Sequence, residues 1–127
     1  MSGPAHFTVD PARMAAFAEA LGGEAGAVAP PTFGMLVSAP LVEEVLARLP
    51  ALDRARALHG EQSFDYLAPI RPGMRLRSTA RVVADERRLM RRGGSLRRIE
   101  IAIAHDDAET GAPLVRETMV VIETEAP

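Results

Sequence analysis

The sequence contains no cysteine, and this absence excludes disulfide bonds, thiolate zinc sites and thiol nucleophiles. A chain without cysteine fits the reducing cytosol, so we expect a cytoplasmic protein. Lysine is absent too, since all 15 basic residues are arginine; codon bias in a GC-rich genome explains this as readily as chemistry does. The formal net charge of −2 argues against general binding to nucleic acid.

Long apolar runs are also missing. No apolar run is long enough to span a bilayer, so we expect no membrane segment. Residues 1–4 lack the charged and apolar regions of a signal peptide. The length of 127 residues predicts a single domain over 1–127. We also expect no metal and no cofactor.

An apolar helix in the middle of the chain is the strongest pattern present. Apolar residues recur with helical spacing at Leu41, Val42, Val45, Leu46 and Leu49. The residues before them, 35–39, are apolar almost all round, which is typical of a buried helix. Pro40 conflicts with a regular helix interior. Either the helix is kinked at Pro40, or its regular part begins near Ser38 after an irregular buried turn. We slightly favour the second and expect the regular helix to begin near Ser38.

The rest of the sequence predicts one shorter helix and several strands. Asp10 and Pro11 are typical of a helix start, and glycines at 22 and 23 of its end. Alternating apolar residues predict strands near 59–66, 75–84, 99–103 and 114–122, with turns at 69–73 and 93–95. The predicted fold class is α+β, with an antiparallel sheet wrapped around the central apolar helix.

Four short segments occur in an order that resembles a known family. They are Ala-Pro-Pro-Thr-Phe at 29–33, Leu-His-Gly-Glu-Gln-Ser-Phe at 58–64, Pro-Ile-Arg-Pro-Gly at 69–73 and Gly-Gly-Ser at 93–95. Together they resemble the MaoC-like dehydratase superfamily, which has a hot-dog fold. The similarity runs from Phe7 to Glu123. It is strongest to the N-terminal-type, non-catalytic subunit of two-subunit R-specific hydroxyacyl-thioester dehydratases.

The resemblance implies dehydration of an R-3-hydroxyacyl thioester, or the reverse hydration, with a role in fatty acid metabolism. In active members an Asp–His pair before the central helix moves the protons, and a backbone N–H holds the thioester oxygen. The matching interval here, 22–28, holds no Asp and no His, and its one acid is Glu24. Phe33 stands where a His usually precedes the helix glycine. The resemblance therefore implies a substrate-binding half that lacks the catalytic pair.

By the same resemblance, one set of residues is expected to contact an acyl-CoA or acyl-carrier-protein thioester. These residues are Thr32, Phe33, Gly34, Met35, Gln62 and Phe64. Gly34 either donates its N–H to the thioester carbonyl or merely allows close packing of loop and helix. Gln62 contacts either ligand or core. The methionines line an acyl tunnel or fill the core, and we favour the core.

His59 and Glu61 are the candidates for an acid–base pair within the chain. They are two residues apart on a predicted strand, so we expect their side chains to be neighbours on one face. The alternative is a structural hydrogen-bonded pair at a sheet edge or dimer interface, which we favour.

The arginines between 71 and 98 are the candidates for docking a phosphate or a carrier protein. Arginine suits phosphate because its guanidinium offers a fork of donors. The predicted docking residues are Arg75, Arg77, Arg91 and Arg92. The alternative, a solvated hairpin paired with nearby carboxylates and a partner subunit, is somewhat favoured. No aromatics are interleaved with these arginines, which argues against nucleic acid.

Three functions remain open on the sequence. The first is a component of a dehydratase or enoyl-thioester hydratase that forms a homodimer, or a heterodimer with a catalytic MaoC-like subunit, through a continuous sheet. The second is a self-sufficient hot-dog thioesterase or hydratase that uses His59 and Glu61. Thioesterases place an acid on or near the central helix, but Glu43 and Glu44 lie late in the sequence of that helix. The third is a non-enzymatic acyl-CoA-binding or scaffolding subunit.

Overall fold

The computed structural model describes residues 4–22 and 35–125, which form one five-stranded antiparallel sheet and two α-helices. The sheet order is β1-β3-β4-β5-β2. The elements in chain order are β1 (Ala5–Thr8), α1 (Pro11–Ala20), α2 (Met35–Arg48), a short 3-10 helix (Arg54–Arg56), β2 (Ala57–Tyr66), β3 (Arg75–Leu89), β4 (Ser95–Asp107) and β5 (Pro113–Glu125).

Helix α1 begins as predicted. The Asp10 side chain accepts a hydrogen bond of 2.9 Å from the backbone N–H of Ala12, and Pro11 occupies the first helical position. This cap satisfies a donor that the helix itself cannot pair. Met14 and Ala18 point into the protein and are buried.

Helix α2 is continuous from Met35 to Arg48, with Pro40 in its interior. The expectation that the regular helix begins near Ser38 is therefore wrong. A proline there costs about 3 kcal/mol in an isolated helix, but most helical stability in proteins comes from tertiary packing. The buried face supplies that packing through Val37, Leu41, Val42, Val45 and Leu46.

The core lies between α2 and one face of the sheet, as the sequence predicts. The strands contribute alternating buried side chains, including Leu76, Ala80, Ile99, Ile101, Ile103, Val115, Met119 and Val121. Strand β5 lies between β4 and β2 and is buried on both faces, with Val120 on one face and Val121 on the other. This confirms the prediction of a central strand that is apolar on both sides.

Strand β2 lies at the edge of the sheet and contains a β-bulge. His59 pairs with Val121, but Glu61 pairs with Val120, so Gly60 is the extra residue. Consecutive residues of β5 point to opposite faces. His59 and Glu61 therefore lie on opposite faces as well, and the expectation that they are neighbours on one face is wrong. A Cβ at position 60 would lie 3.0 Å from Cδ1 of Ile122, so glycine fits this tight position.

Strands β3 and β4 form a long hairpin that turns at the predicted glycines. Gly93 and Gly94 both have positive φ, at 85° and 80°, a conformation that glycine adopts without steric cost. The N–H of Met90 donates to the carbonyl of Gly94 over 3.1 Å and closes the turn.

Candidate functional site

A line of four polar side chains crosses the face of the sheet that packs against α2. Ser78 Oγ lies 2.7 Å from His105 Nδ1, and His105 Nε2 lies 2.8 Å from Glu117 Oε1. Gln62 Nε2 donates to the other carboxylate oxygen, Glu117 Oε2, over 2.8 Å. We call Gln62, Glu117, His105 and Ser78 the polar line. Its last three members are essentially inaccessible to solvent.

The strand register brings these residues together. Ser78 on β3 pairs directly with His105 on β4, and directly paired side chains on one face have Cβ atoms about 5 Å apart. Glu117 on β5 pairs with Ile103 on β4 and Phe64 on β2. It is therefore diagonal to both His105 and Gln62, within reach of long side chains.

The donor and acceptor roles along the line follow from Glu117. A carboxylate only accepts hydrogen bonds, so His105 Nε2 donates to it. In a neutral imidazole the other nitrogen, Nδ1, then accepts from the Ser78 hydroxyl. Both carboxylate oxygens of Glu117 are used, one by His105 and one by Gln62. The line therefore fixes the orientation of the Gln62 carboxamide at the sheet edge.

Ser78, His105 and Glu117 have the residue types of a hydrolytic triad, but their burial rules that role out in this structure. A nucleophilic hydroxyl must reach its substrate, and Ser78 has 0% exposed surface. The polar line is better described as a buried support for Gln62. None of these three residues was predicted from the sequence, although each stands at an inward position between or after apolar ones.

Two aromatic side chains continue this face of β2. Gln62 and Phe64 are half-buried, and the rings of Phe64 and Tyr66 stack with centroids 5.9 Å apart. Partial burial raises the pKa of the Tyr66 hydroxyl above its ordinary value, and the nearby charge of Glu117 adds to this. The two predicted substrate contacts on β2 thus share one surface that the polar line supports.

A cavity of about 250 Å³ lies between α2 and β2. Its lining is apolar at Val42, Leu46, Met119 and Val121, and charged or polar at Glu43, Arg54 and His59. Arg54 pairs with Glu43 at 2.7 Å across this cavity. Ligand pockets begin at about 300 Å³, so the cavity suits a small apolar group such as part of an acyl chain.

Glu61 lies on the other side of the sheet from this cavity. It lines a second cavity, of about 490 Å³, together with Ser63, Glu100, Thr118 and Val120. His59 and Glu61 thus face different cavities, and the bulge at Gly60 explains why.

The other predicted site residues are scattered. Thr32, Phe33 and Gly34 lie outside the described residues, as does the interval 22–28 beyond Gly22, and Met35 is the first residue of α2. The four docking arginines are not brought together. Arg77 is near the start of β3 and Arg91 lies beyond its end; at ~3.3 Å per residue, roughly 45 Å separates them along the hairpin.

The described residues show neither a metal-binding group nor a membrane helix. In the part of the chain that the structure describes, no three His, Asp or Glu side chains converge on a possible metal site. Neither α1 nor α2 has the length and apolar character needed to cross a bilayer.

The match to a protein-family model decides the family. Residues 4–99 match the family described as FAS1-like, dehydratase domain region. The chain belongs to this family. A UPF0336 protein of Streptomyces griseus is 41% identical over 64 residues, a match covering 49% of this chain and 42% of the relative. This chain therefore spans less than half of the length of that relative.

Solved structures with the same fold include a dehydratase and a thioesterase. A chain of the HadBC (3R-hydroxyacyl-ACP dehydratase) complex from Mycobacterium tuberculosis has a TM-score of 0.74 at 15% identity, over 94% of this chain and 90% of that one. A hypothetical thioesterase with coenzyme A from Streptococcus pneumoniae has a TM-score of 0.65 at 13% identity, over 95% and 77%. The predicted hot-dog fold is confirmed, and so is the predicted relationship to a dehydratase family.

Proposed function

We propose that this FAS1-like chain is the substrate-binding, non-catalytic half of an R-specific 3-hydroxyacyl-thioester dehydratase or enoyl-thioester hydratase, acting in the cytoplasm. The supporting observation is the placement of the histidines. The chain has three, and all lie in described residues. None of them forms an accessible pair with a carboxylate in the part of the chain that the structure describes.

Each histidine is unable to form an accessible acid–base pair for a different reason. His6 is exposed on β1, far along the sheet from β2. His59 is separated from Glu61 by the bulge. His105 is hydrogen-bonded to Glu117 but has no exposed surface. A general acid or base must come within hydrogen-bond reach of the proton that it moves, so we propose that the proton-transfer pair comes from a partner subunit.

The substrate in this proposal is an acyl-CoA or acyl-carrier-protein thioester that binds beside α2. Its acyl group enters the cavity lined by Val42, Leu46 and Met119, next to the surface of Gln62 and Phe64. By resemblance to the family, the thioester carbonyl would lie near the N–H of Gly34, where a helix N-terminus favours developing negative charge. The chain contributes binding and needs no metal or cofactor of its own for this role.

The partner joins through the free edge of β2. This strand pairs with β5 on one side and with no other strand among the described residues. Unpaired strand edges are liabilities that proteins cover, and Leu58 on this edge is 64% exposed. We propose a dimer with a continuous sheet, formed with a catalytic MaoC-like subunit or with a second copy.

Light scattering tests this assembly. At micromolar concentration we expect the purified chain, alone or with its catalytic partner, to have the mass of a dimer. Leu58→Lys places a charge on the β2 edge and is expected to yield monomers. Leu89→Lys alters another exposed leucine, away from that edge, and is expected to leave the dimer intact. A monodisperse wild-type monomer under both conditions would contradict the proposal.

Turnover assays test the catalytic role. Alone, the chain is expected to hydrate a crotonyl-type thioester at or near the background rate, because it lacks an accessible acid–base pair. Addition of the cognate catalytic subunit is expected to restore turnover. Robust hydration by the chain alone, abolished by His59→Ala, would show that the catalytic pair lies in this chain.

A self-sufficient thioesterase is the second candidate. The observation in its favour is that Glu43 on α2 and His59 on β2 line the same cavity. Against it, Glu43 is held by Arg54 at 2.7 Å. Hydrolysis of acyl-CoA by the lone chain would favour this candidate, whereas a chain that neither binds nor turns over thioesters would be a scaffold.

A further inference from the structure

The end of the β3–β4 hairpin concentrates positive charge in an acidic protein. Residues 85–98 contain six arginines and only two acids, whereas the whole chain has a net charge of −2. One of the two acids is already engaged, because Asp85 accepts two hydrogen bonds from Arg97, of 2.8 and 2.7 Å. The remaining arginines therefore greatly outnumber Glu86.

Several of these arginines are available to a partner. Arg88, Arg91 and Arg92 are exposed and make no ion pair with a carboxylate among residues 4–22 and 35–125. Arg88 also lines a cleft of about 280 Å³ with Glu86, Arg87, Leu96 and Arg98. Arg98 has only a loose contact with Glu100, at 3.8 Å.

Apolar side chains are exposed among these arginines. Leu89 is 86% exposed and Met90 is 38% exposed. Exposed apolar groups beside arginine are typical of protein interfaces, where arginine and methionine are enriched. A phosphate alone would need only a fork of guanidinium donors, so the apolar residues favour a protein partner over a nucleotide.

The sheet register places this end of the hairpin beside the cavity. Arg87 pairs with Arg97, Arg97 with Glu123, and Glu123 with Ala57, in one row across four strands. Neighbouring strands are ~4.8 Å apart, so Ala57 lies roughly 14 Å from Arg87. Ala57 itself lines the cavity between α2 and β2. Arg87 and Leu89 lie on the same face of the sheet as the cavity, whereas Arg88 and Arg98 lie on the opposite face. A protein docked around the end of the hairpin would therefore approach the cavity from the side of Arg87.

We propose that the hairpin end is a docking surface for an acidic carrier protein that delivers the acyl thioester to this cavity. The surface consists of Arg87, Arg88, Leu89, Arg91, Arg92 and Arg98. This inference rests on the proposed function, since it assigns how the substrate arrives. It also separates the predicted docking arginines: Arg91 and Arg92 belong to the surface, and Arg75 and Arg77 at the other end of β3 do not.

Binding measurements on the full-length chain test the proposal with two probes, a purified acyl carrier protein in its acylated form and the same acyl group on coenzyme A. The test variant is Arg88→Glu/Arg91→Glu/Arg92→Glu. It is expected to weaken carrier binding at least tenfold and acyl-CoA binding less than twofold. Leu89→Ser is expected to weaken carrier binding several-fold without changing its salt dependence.

The matched control reverses two arginines at the opposite end of β3. Arg75→Glu/Arg77→Glu reverses two charges where the test variant reverses three, and it is expected to alter carrier binding less than twofold, because charges further apart than ~10 Å are largely screened at 0.1 M salt. Thermal unfolding of every variant checks that these exposed substitutions leave the fold intact.

Each other outcome overturns the docking surface. Carrier binding that survives the triple reversal, or that falls equally in the control, places the partner elsewhere. Equal weakening of acyl-CoA binding identifies a phosphate site instead. Failure of the proposed function has a different signature: neither acylated probe binds better than its unacylated form, and the catalytic subunit restores no turnover, even where the hairpin still binds the carrier.

Discussion

Replacement of Glu117 with alanine is expected to lower the free energy of unfolding by about 3–5 kcal/mol. Glu117 is fully buried and accepts hydrogen bonds from His105 and Gln62. Its removal leaves the buried His105 donor without a partner, at about 1–3 kcal/mol, and opens a cavity in the core, which adds about 2 kcal/mol or more. Urea unfolding followed by circular dichroism measures the change.

Two further variants separate the hydrogen bonds from packing. Glu117→Gln keeps the shape of the side chain but changes its hydrogen-bonding capacity. It should therefore lower the free energy of unfolding by less than Glu117→Ala does. In the double variant His105→Leu/Glu117→Leu both partners become apolar, and the loss should be well below the sum of the single changes. Additive losses, or a cost below about 1 kcal/mol for Glu117→Ala, would show that the polar line is not a coupled unit.

The same variants test whether the polar line supports the site. If Glu117 orients the Gln62 carboxamide, Glu117→Gln should weaken acyl-thioester binding under conditions where the protein remains folded. Gln62→Ala should then weaken binding by a similar factor, and the two changes together should cost little more than either one. A Glu117→Gln variant with unchanged thioester affinity would limit the polar line to stability.

The second large effect is expected at Arg97, which is only 4% exposed. Its guanidinium forms two hydrogen bonds with Asp85 and donates to the Pro50 carbonyl over 3.0 Å. Only the arginine of this pair is buried, because the Asp85 side chain is 32% exposed. Hydrogen bonds to charged groups contribute about 1.5–3 kcal/mol, so Arg97→Met is expected to lose about 2 kcal/mol. The adjacent Arg98→Met is the control and should change stability by no more than about 0.5 kcal/mol, because the Arg98 side chain is 41% exposed.

This pair also gives stability a pH dependence of known sign. The hydrogen bonds from Arg97 hold the pKa of Asp85 below its ordinary value, against the opposing effect of burial. A carboxyl with a lowered pKa in the folded state stabilises the protein above its unfolded pKa, and the contribution is lost as pH falls through the folded pKa. The stability difference between wild type and Asp85→Asn should therefore shrink in strongly acidic buffer; a difference that stays constant down to pH 2 would contradict this assignment.

The elements of the fold were largely predictable because each depends on local patterns. The cap at Asp10, the turn at Gly93 and the apolar strand that became β5 all follow from residue types at fixed spacing. Pro40 was misjudged because a local rule assigned it to the first turn, whereas packing of α2 on the sheet carries the helix through it.

The candidate site was less predictable because its contacts depend on register between strands. One extra residue at Gly60 reverses the face of everything before it in β2, and no periodicity analysis of β2 alone reveals this. The polar line joins four strands, and the order of these strands in the sheet cannot be inferred from the sequence of any single strand. The prediction that Gln62 shares a face with Phe64 is correct because both lie after the bulge, where the alternation of β2 is regular.

The strand order determines how long β2 remains unpaired during synthesis on the ribosome. Strand β2 ends at Tyr66, but its only neighbour among the described strands, β5, begins at Pro113. During synthesis, β2 and the apolar face of α2 therefore emerge from the ribosome well before the strand that completes their side of the sheet. Exposed apolar surface on a nascent chain promotes aggregation. This topology therefore leaves the apolar face of α2 and the edge of β2 uncovered until β5 has been synthesised.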